Sequence, residues 1–260
     1  MVKYAQKHEA TEMNLLVSKK SWMLAPAIGV ASLVALACTW AAMDPESLRA
    51  SFDADGASFF EVLTLPFYIL IVPAVWLCCP FGGSLRRKAL LSAGVTCVAA
   101  MAVMKETDLH LALMTSLYPD VVENFSGTPF KMRFLTSGQV PPGAKFVAAM
   151  YFTLFFGVFA TMLAYYAKTL LKAFFKLHPV AWSVACMGGS GVMVQVMDRL
   201  PAWWRHGMDV SKSDLPSAFL SFCTAFEEGG EMMLAAFALL AILQAHAIYS
   251  PDRPAEGFAV

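Results

Sequence analysis

The sequence is poor in charged residues. Of its 260 residues only 15% are Asp, Glu, Lys or Arg, and 19 basic residues balance 19 acidic ones to a formal net charge of zero. Soluble domains carry about 25% charged residues and about 45–50% apolar residues, whereas 58% of this chain is hydrophobic. These values argue against a water-soluble enzyme, a disordered chain and a nucleic-acid-binding protein.

The cysteines and histidines of the sequence are not arranged in the patterns that bind cofactors. The six cysteines form no C-x-x-C pair, and five of them lie in apolar runs. This argues against a thiolate metal site, a redox motif or a disulfide framework. The five histidines are too scattered for a haem bundle. We expect neither haem nor a nucleotide as a cofactor.

The sequence does contain long apolar runs. A helix needs roughly 20 mainly apolar residues to cross a bilayer, and six segments approach or reach that length. They cover about 22–43, 59–80, 89–106, 146–167, 177–198 and 227–249. The sequence therefore predicts an all-α integral membrane protein, a single polytopic domain over 1–260 that forms a bundle of about six transmembrane helices.

Two of these segments have distinctive compositions. The second contains Pro66, Pro73 and Pro80, which predict a kink because proline removes a helical hydrogen bond. The fifth contains Gly-Gly-Ser-Gly at 188–191, and such small residues let another helix approach closely.

Basic residues are distributed unevenly between the predicted loops. With six spans, the side that holds both termini carries 11 Lys and Arg against 4 Asp and Glu, whereas the other side carries 8 against 15. The positive-inside rule then places both termini in the cytoplasm. We expect a multi-pass protein of the cell inner (plasma) membrane, N-in and C-in, with a long outer loop at 107–145.

Acidic residues gather at the predicted outer face, where four helices bring them to a similar depth. They are Glu61, Glu106, Asp108, Asp198, Glu227, Glu228 and Glu231. Glu61 and Glu231 are flanked by apolar residues, and a carboxylate in the bilayer costs a few kcal/mol unless it is paired. Other interpretations stay open, since Glu227 and Glu228 could cap the last helix and Asp198 could form an ion pair with Arg199.

The spacing of two of these groups suggests metal binding. If the third helix continues past Met104, Glu106 and His110 stand at i and i+4 on one helical face. Carboxylate oxygens and imidazole nitrogens suit a divalent ion such as Zn, Mg or Mn. The candidate metal ligands are Glu61, Glu106, His110, Asp198 and Glu231.

Further residues would complete an enzyme site. Asp108 or Glu227 could serve as the catalytic base beside a metal ion. Lys131 and Arg133 lie in the outer loop and could bind the phosphate or carboxylate of a substrate headgroup.

Three functions fit these residues. The first is a divalent-metal-dependent hydrolase or transferase acting on a lipid or lipid-linked substrate. The second is a non-catalytic scaffold that binds a membrane-protein partner through its outer loops. The acidic residues at the predicted outer face, which we call the rim acids, would pair with neighbouring cations, namely Lys105, Lys131, Arg133 and Arg199.

The third function is a cation- or proton-coupled transporter that uses Glu61 and Glu231 as protonatable sites. Few polar side chains are available to continue the path towards the cytoplasm. The candidates are Thr96, Thr161, Ser183 and Gln195. In all three cases the lipid bilayer surrounds the protein, and nucleic acid is not expected as a partner.

Overall fold

A computed structural model describes residues 16, 18, 20–52, 59–78, 85–124, 132–211 and 214–249. The described part of the chain is 90% helical and contains no strand. The helices are α1 (Leu24–Ala42, after a 3-10 turn at Ser21–Met23), α2 (Pro45–Phe52), α3 (Phe59–Cys78), α4 (Leu85–Glu106), α5 (Leu109–Leu117), α6 (Pro119–Asn124), α7 (Met132–Thr136), α8 (Pro142–Phe152), α9 (Val158–Phe175), α10 (Pro179–Met208) and α11 (Ser217–Tyr249). A π-helical segment, Thr153–Gly157, joins α8 to α9.

Several of these helices are long and apolar enough to cross a membrane. Five such stretches lie within the described residues, namely Ser21–Ala42, Lys88–Glu106, Pro142–Phe175, Pro179–Met208 and Ser217–Tyr249. The chain is therefore an all-α, multi-pass membrane protein. In α3 the apolar stretch Val62–Cys78 is shorter. The count of six spans, the N-in/C-in orientation, the inner membrane and a kink in α3 stay predictions.

Helix ends differ from the boundaries expected from hydropathy. Helix α10 continues past Asp198 to Met208, and α11 begins at Ser217, ten residues before Glu227. An apolar window ends at the first charged residue, whereas backbone hydrogen bonds continue wherever polar residues are compatible with a helix. The expected outer loop at 107–145 also contains the short helices α5 to α7.

The described helices fall into two compact units. Unit 1 takes the chain up to Gly83 and from Lys168 onward, and unit 2 takes Ser84–Ala167. Each unit therefore has its own core.

Helix α11 is the centre of unit 1. Helices α1, α2, α3 and α10 all pack against it, and it contributes more buried residues than the other described helices of the unit. The apolar core that contains positions 225–237 of α11 includes Leu36, Leu48, Phe52, Ala225, Phe226, Met233 and Phe237. Burial of this many apolar side chains fixes α11 among its neighbours.

Two adjacent glycines lie where neighbouring helices contact α11 in unit 1. A Cβ atom at Gly229 would lie 2.5 Å from Cδ1 of Leu36 on α1, and one at Gly230 would lie 2.7 Å from Cγ2 of Val194 on α10. The small-residue run at 188–191 contributes less than expected. Gly191 faces Leu234, but apart from the adjoining residues and the local backbone of α10, no atom of the described residues lies within 4 Å of a Cβ built at Gly188 or Gly189.

Unit 2 is built around α4, α5 and the long helix that starts at Pro142. A Cβ at Gly94 of α4 would lie 2.6 Å from Sδ of Met162, which shows how closely α4 and α9 approach. A small apolar core, made of Met114, Phe134, Val140, Ala144 and Ala148, joins the short helices to α8.

The glycine crossing gives a direct stability test. Gly229→Ala should lower the melting temperature of the detergent-solubilised protein, because its methyl group would overlap Leu36 and overpacking typically costs about 1–3 kcal/mol. The matched control is Gly188→Ala, which meets no described neighbour within 4 Å and should be neutral or slightly stabilising, since alanine favours helix by about 0.5–1 kcal/mol. Equal losses in both variants would contradict the close crossing at Gly229.

Candidate functional site

The predicted site residues are divided between the two units. Unit 1 contains Glu61, Asp198, Glu227 and Glu231, and unit 2 contains Glu106, Asp108, His110 and Arg133. Glu61 lies in α3 and Arg133 in α7, but their side chains are outside the described part of the structure, as is the whole of Lys131. The substrate-clamp prediction for Lys131 and Arg133 is therefore not tested.

The expected helical pairing of Glu106 with His110 is wrong. Helix α4 ends at Glu106, Asp108 adopts a left-handed conformation with φ of 49°, and a new helix begins at Leu109. Aspartate is one of the few residues that visits this conformation readily. The carbonyl of Asp108 then accepts hydrogen bonds from the amides of Leu111 and Ala112, at 2.9 and 3.0 Å.

Each predicted ligand in this region has its own local partner. The carboxylate of Glu106 lies 3.3 Å from Nζ of Lys105, and its side chain is only 5% exposed. His110 is buried, and its Nδ1 lies 3.0 Å from the carbonyl oxygen of Met104. Burial lowers the pKa of His110 below its usual value near 6.5.

Asp198 forms the local ion pair that the sequence left open. Its Oδ2 lies 3.7 Å from Nε of Arg199, and more than half of each side chain is exposed. Such an exposed pair contributes little to stability.

A divalent-metal centre finds no support in the described residues. They contain no group of three or more His, Cys, Asp or Glu side chains placed to hold a metal ion. The break at Asp108 removes the helical pair that suggested this chemistry. The proposed roles of Asp108 and Glu227 as catalytic bases depend on that metal and stay untested.

The acidic residues of α11 lie well inside the helix. Glu227, Glu228 and Glu231 follow Ser217 by 10, 11 and 14 residues, which corresponds to about 15–21 Å along the helix axis. The alternative that Glu227 and Glu228 cap this helix is therefore wrong, since dipole effects are confined to the first turn. Glu231 is 8% exposed, whereas Glu227 and Glu228 are half-buried.

Buried polar side chains continue from Glu231 towards the Tyr249 end of α11. We call this series the polar column, and its members are Glu231, Thr64, Ser190, Tyr68, Ser183, Gln244 and His178. All seven belong to unit 1, and each is at most 8% exposed. Polar groups are rarely buried in an apolar setting without a hydrogen-bonding role.

Close contacts fix the relative levels of α10 and α11. Gly191 faces Leu234, and Val194 faces Gly230, so the two helices run antiparallel. Ser190 therefore lies about level with Leu234, one turn of α11 beyond Glu231.

Helix α3 supplies the next members. It runs parallel to α11, because α2 packs near the start of α11 and the carbonyl of Cys78, at the end of α3, lies 2.8 Å from Nδ1 of His246. Counting back from the contact between Cys78 and His246 at an equal rise per residue, Thr64 and Tyr68 lie at about the same height as positions 232 and 236 of α11. The column thus has members between Glu231 and Gln244.

Hydrogen bonds link the members nearest Tyr249. Oγ of Ser183 donates to Oε1 of Gln244 at 2.7 Å, and Nε2 of Gln244 donates to the carbonyl of Ser21 at 3.5 Å. The hydroxyl of Tyr249 lies 3.2 Å from Nε2 of His178. These bonds connect α10, α11 and the segment that precedes α1.

Sequence reasoning found only part of this column. Of the polar candidates for a path, Ser183 is a buried member, Gln195 is exposed, and Thr96 and Thr161 belong to unit 2. A signal for α3 was present, since its buried positions 64, 68, 71 and 75 follow the spacing of one helical face.

Comparisons with protein-family models, curated proteins and solved structures find no match to the chain.

The burial of His178 predicts a pH-dependent stability. Burial disfavours the charged imidazolium and lowers the pKa of His178 below its usual value near 6.5. The unfolded chain therefore binds a proton below about pH 6.5 that the folded chain does not. The stability associated with neutral His178 is complete above that pH and is lost as the pH falls towards the lowered pKa.

We expect the melting temperature to fall between about pH 7.5 and pH 5.5, and His178→Gln to reduce that fall. His206→Gln replaces an exposed histidine of α10 and serves as the matched control that keeps His178. If wild type and His178→Gln show the same pH dependence, this account of His178 is incorrect.

Proposed function

We propose that this multi-pass membrane protein conducts protons through unit 1 along the polar column, with Glu231 as the principal protonatable site. The observation that carries the proposal is the burial of this carboxylate at one end of a series of buried polar side chains. Ionisable residues within membrane-spanning helices are costly and commonly mark ion or proton pathways.

The chemistry of the column favours a proton over a larger cation. Hydroxyl groups such as those of Thr64, Ser190 and Tyr68 both donate and accept hydrogen bonds, so they can pass a proton on. A metal cation would instead require several oxygen ligands around one point. The members lie at successive levels along α11, so a proton passed between them would move along the helix axis.

The length of the column also fits a relay. Glu231 and Gln244 are 13 residues apart on α11, or about 20 Å, and Thr64, Ser190 and Tyr68 occupy levels between them. These buried side chains support a continuation of the pathway from Glu231 towards the Tyr249 end of α11.

A second candidate is the scaffold that binds a membrane-protein partner. It requires the rim acids to be neutralised by cations of the same chain, and two of those pairs are present, Lys105 with Glu106 and Arg199 with Asp198. The hydrolase or transferase acting on a lipid has no comparable support, because its metal ligands are not grouped among the described residues.

The proton pathway is tested by flux into proteoliposomes that contain a pH-sensitive dye. With a membrane potential imposed, wild type should change the internal pH faster than protein-free vesicles. Glu231→Gln should reduce this flux at least about tenfold, because the amide keeps the shape of the side chain but does not exchange a proton in this way. Tyr68→Phe, which removes only a hydroxyl, should reduce it several-fold.

The matched control is Glu46→Gln, which replaces an exposed carboxylate on α2 in the same unit and should conduct like wild type. A wild-type flux equal to that of empty vesicles would refute the proposal, and so would a full flux in Glu231→Gln. In that case a co-purifying membrane partner, and tolerance of single carboxylate-to-amide changes, would favour the scaffold.

A further inference from the structure

Unit 2 contains a cavity of about 140 Å³ whose wall is rich in sulfur. Its lining includes Met101, Met104, His110, Met114, Met150 and Tyr151. Four of the chain's 16 methionines and one of its five histidines thus surround one small space. No Asp, Glu, Lys or Arg is among the described residues that line it.

The helical spacing directs these groups to the same place. Met101 and Met104 stand at i and i+3 on α4, whereas His110 and Met114 stand at i and i+4 on α5. Both spacings put two side chains on one helical face. The left-handed Asp108 between the two helices lets the faces of α4 and α5 border one cavity.

The orientation of His110 suits a ligand nitrogen. Its Nδ1 lies 3.0 Å from the carbonyl oxygen of Met104, and a carbonyl only accepts, so Nδ1 carries the hydrogen. Nε2 then carries the lone pair, and it is buried from solvent. Metal-binding histidines are commonly oriented in this way, through a hydrogen bond from the other ring nitrogen to a backbone carbonyl.

Tyr151 borders the cavity without offering an obvious ligand. Its hydroxyl donates to the carbonyl of Met101 at 2.7 Å, and its ring lies 6.0 Å from that of His110. It therefore holds α8 against the end of α4 and encloses the imidazole.

Thioether sulfur and imidazole nitrogen together select a soft metal ion. Hard cations such as Mg and Ca prefer oxygen ligands, whereas methionine sulfur favours Cu(I). We propose that unit 2 binds one Cu(I) ion in this cavity, with Nε2 of His110 and the sulfurs of Met101, Met104 and Met114 as the ligand set. Met150, which is 49% exposed, also lines the cavity.

This site is independent of the proton pathway, which lies in unit 1, and it differs in chemistry from the oxygen-rich divalent centre expected from the sequence. The ordinary role of methionine is to fill irregular apolar space. The two roles are separable by experiment, because Leu fills the same space as Met but has no ligand atom.

The test is a titration of the purified full-length protein with Cu(I) under anaerobic, reducing conditions against a chromophoric Cu(I) chelator. Wild type should bind one more Cu(I) ion per chain than the double variant Met101→Leu/Met104→Leu, whose cysteines are unchanged. The control is Met187→Leu/Met193→Leu, which alters two methionines packed against the core of unit 1 and should bind like wild type. Helical circular dichroism checks that each variant is folded.

A second measurement distinguishes methionine from cysteine as the sulfur ligand. In protein grown with selenomethionine, X-ray absorption at the selenium edge should detect copper next to selenium after loading. His110→Ala should weaken the binding about tenfold or more. Equal stoichiometry in wild type and Met101→Leu/Met104→Leu, or loaded protein without a selenium–copper distance, would overturn the proposal, whatever the outcome of the proton-flux experiment.

Discussion

The close approach of helices at Gly229 and Gly230 is the constraint on which unit 1 depends. A missing Cβ on two successive residues lets α1 and α10 approach α11 from two directions. In a bilayer the hydrophobic effect does not drive helices together, because lipid tails are as apolar as the side chains, and close packing of this kind drives their association instead. Glu231 immediately follows this pair. The crossing therefore places the carboxylate inside the protein, where lipid does not surround it.

That position changes the interpretation of the acidic residues of α11. At a helix start, carboxylates would simply complement the dipole and face the headgroups. About 15–21 Å along the axis they are removed from that stabilisation, and Glu231 is enclosed by neighbouring helices. The burial of Gln244 needs a similar explanation, because interhelical hydrogen bonds in membranes contribute on average only about 0.6 kcal/mol each. Stability alone is a weak reason to keep an amide fully buried at that position.

The fold class followed from the sequence because apolar runs of spanning length are a strong signal, and the described helices agree with it. Helix ends were harder to predict, since hydropathy falls at Asp198 and Glu227 although the backbone stays helical through both. The break between Glu106 and His110 depends on one left-handed residue, Asp108. A single aspartate is a poor predictor of that conformation, so the pairing of the two side chains could not be judged from their spacing.

The candidate sites differ in how far the sequence could reveal them. Carboxylates in apolar surroundings stand out, and Glu231 was found for that reason. Serine, threonine, glutamine and methionine do not stand out, because each is common in helices. Their roles become visible only when the structure shows which of them are buried and which lie on the same helical face. Unit 1 accordingly gathers oxygen-bearing groups around α11, whereas the cavity of unit 2 is lined by sulfur and imidazole. Groups of such different hardness do not compete for one ion, so the proposed proton site and the proposed soft-metal site can coexist in one chain, each with its own set of residues.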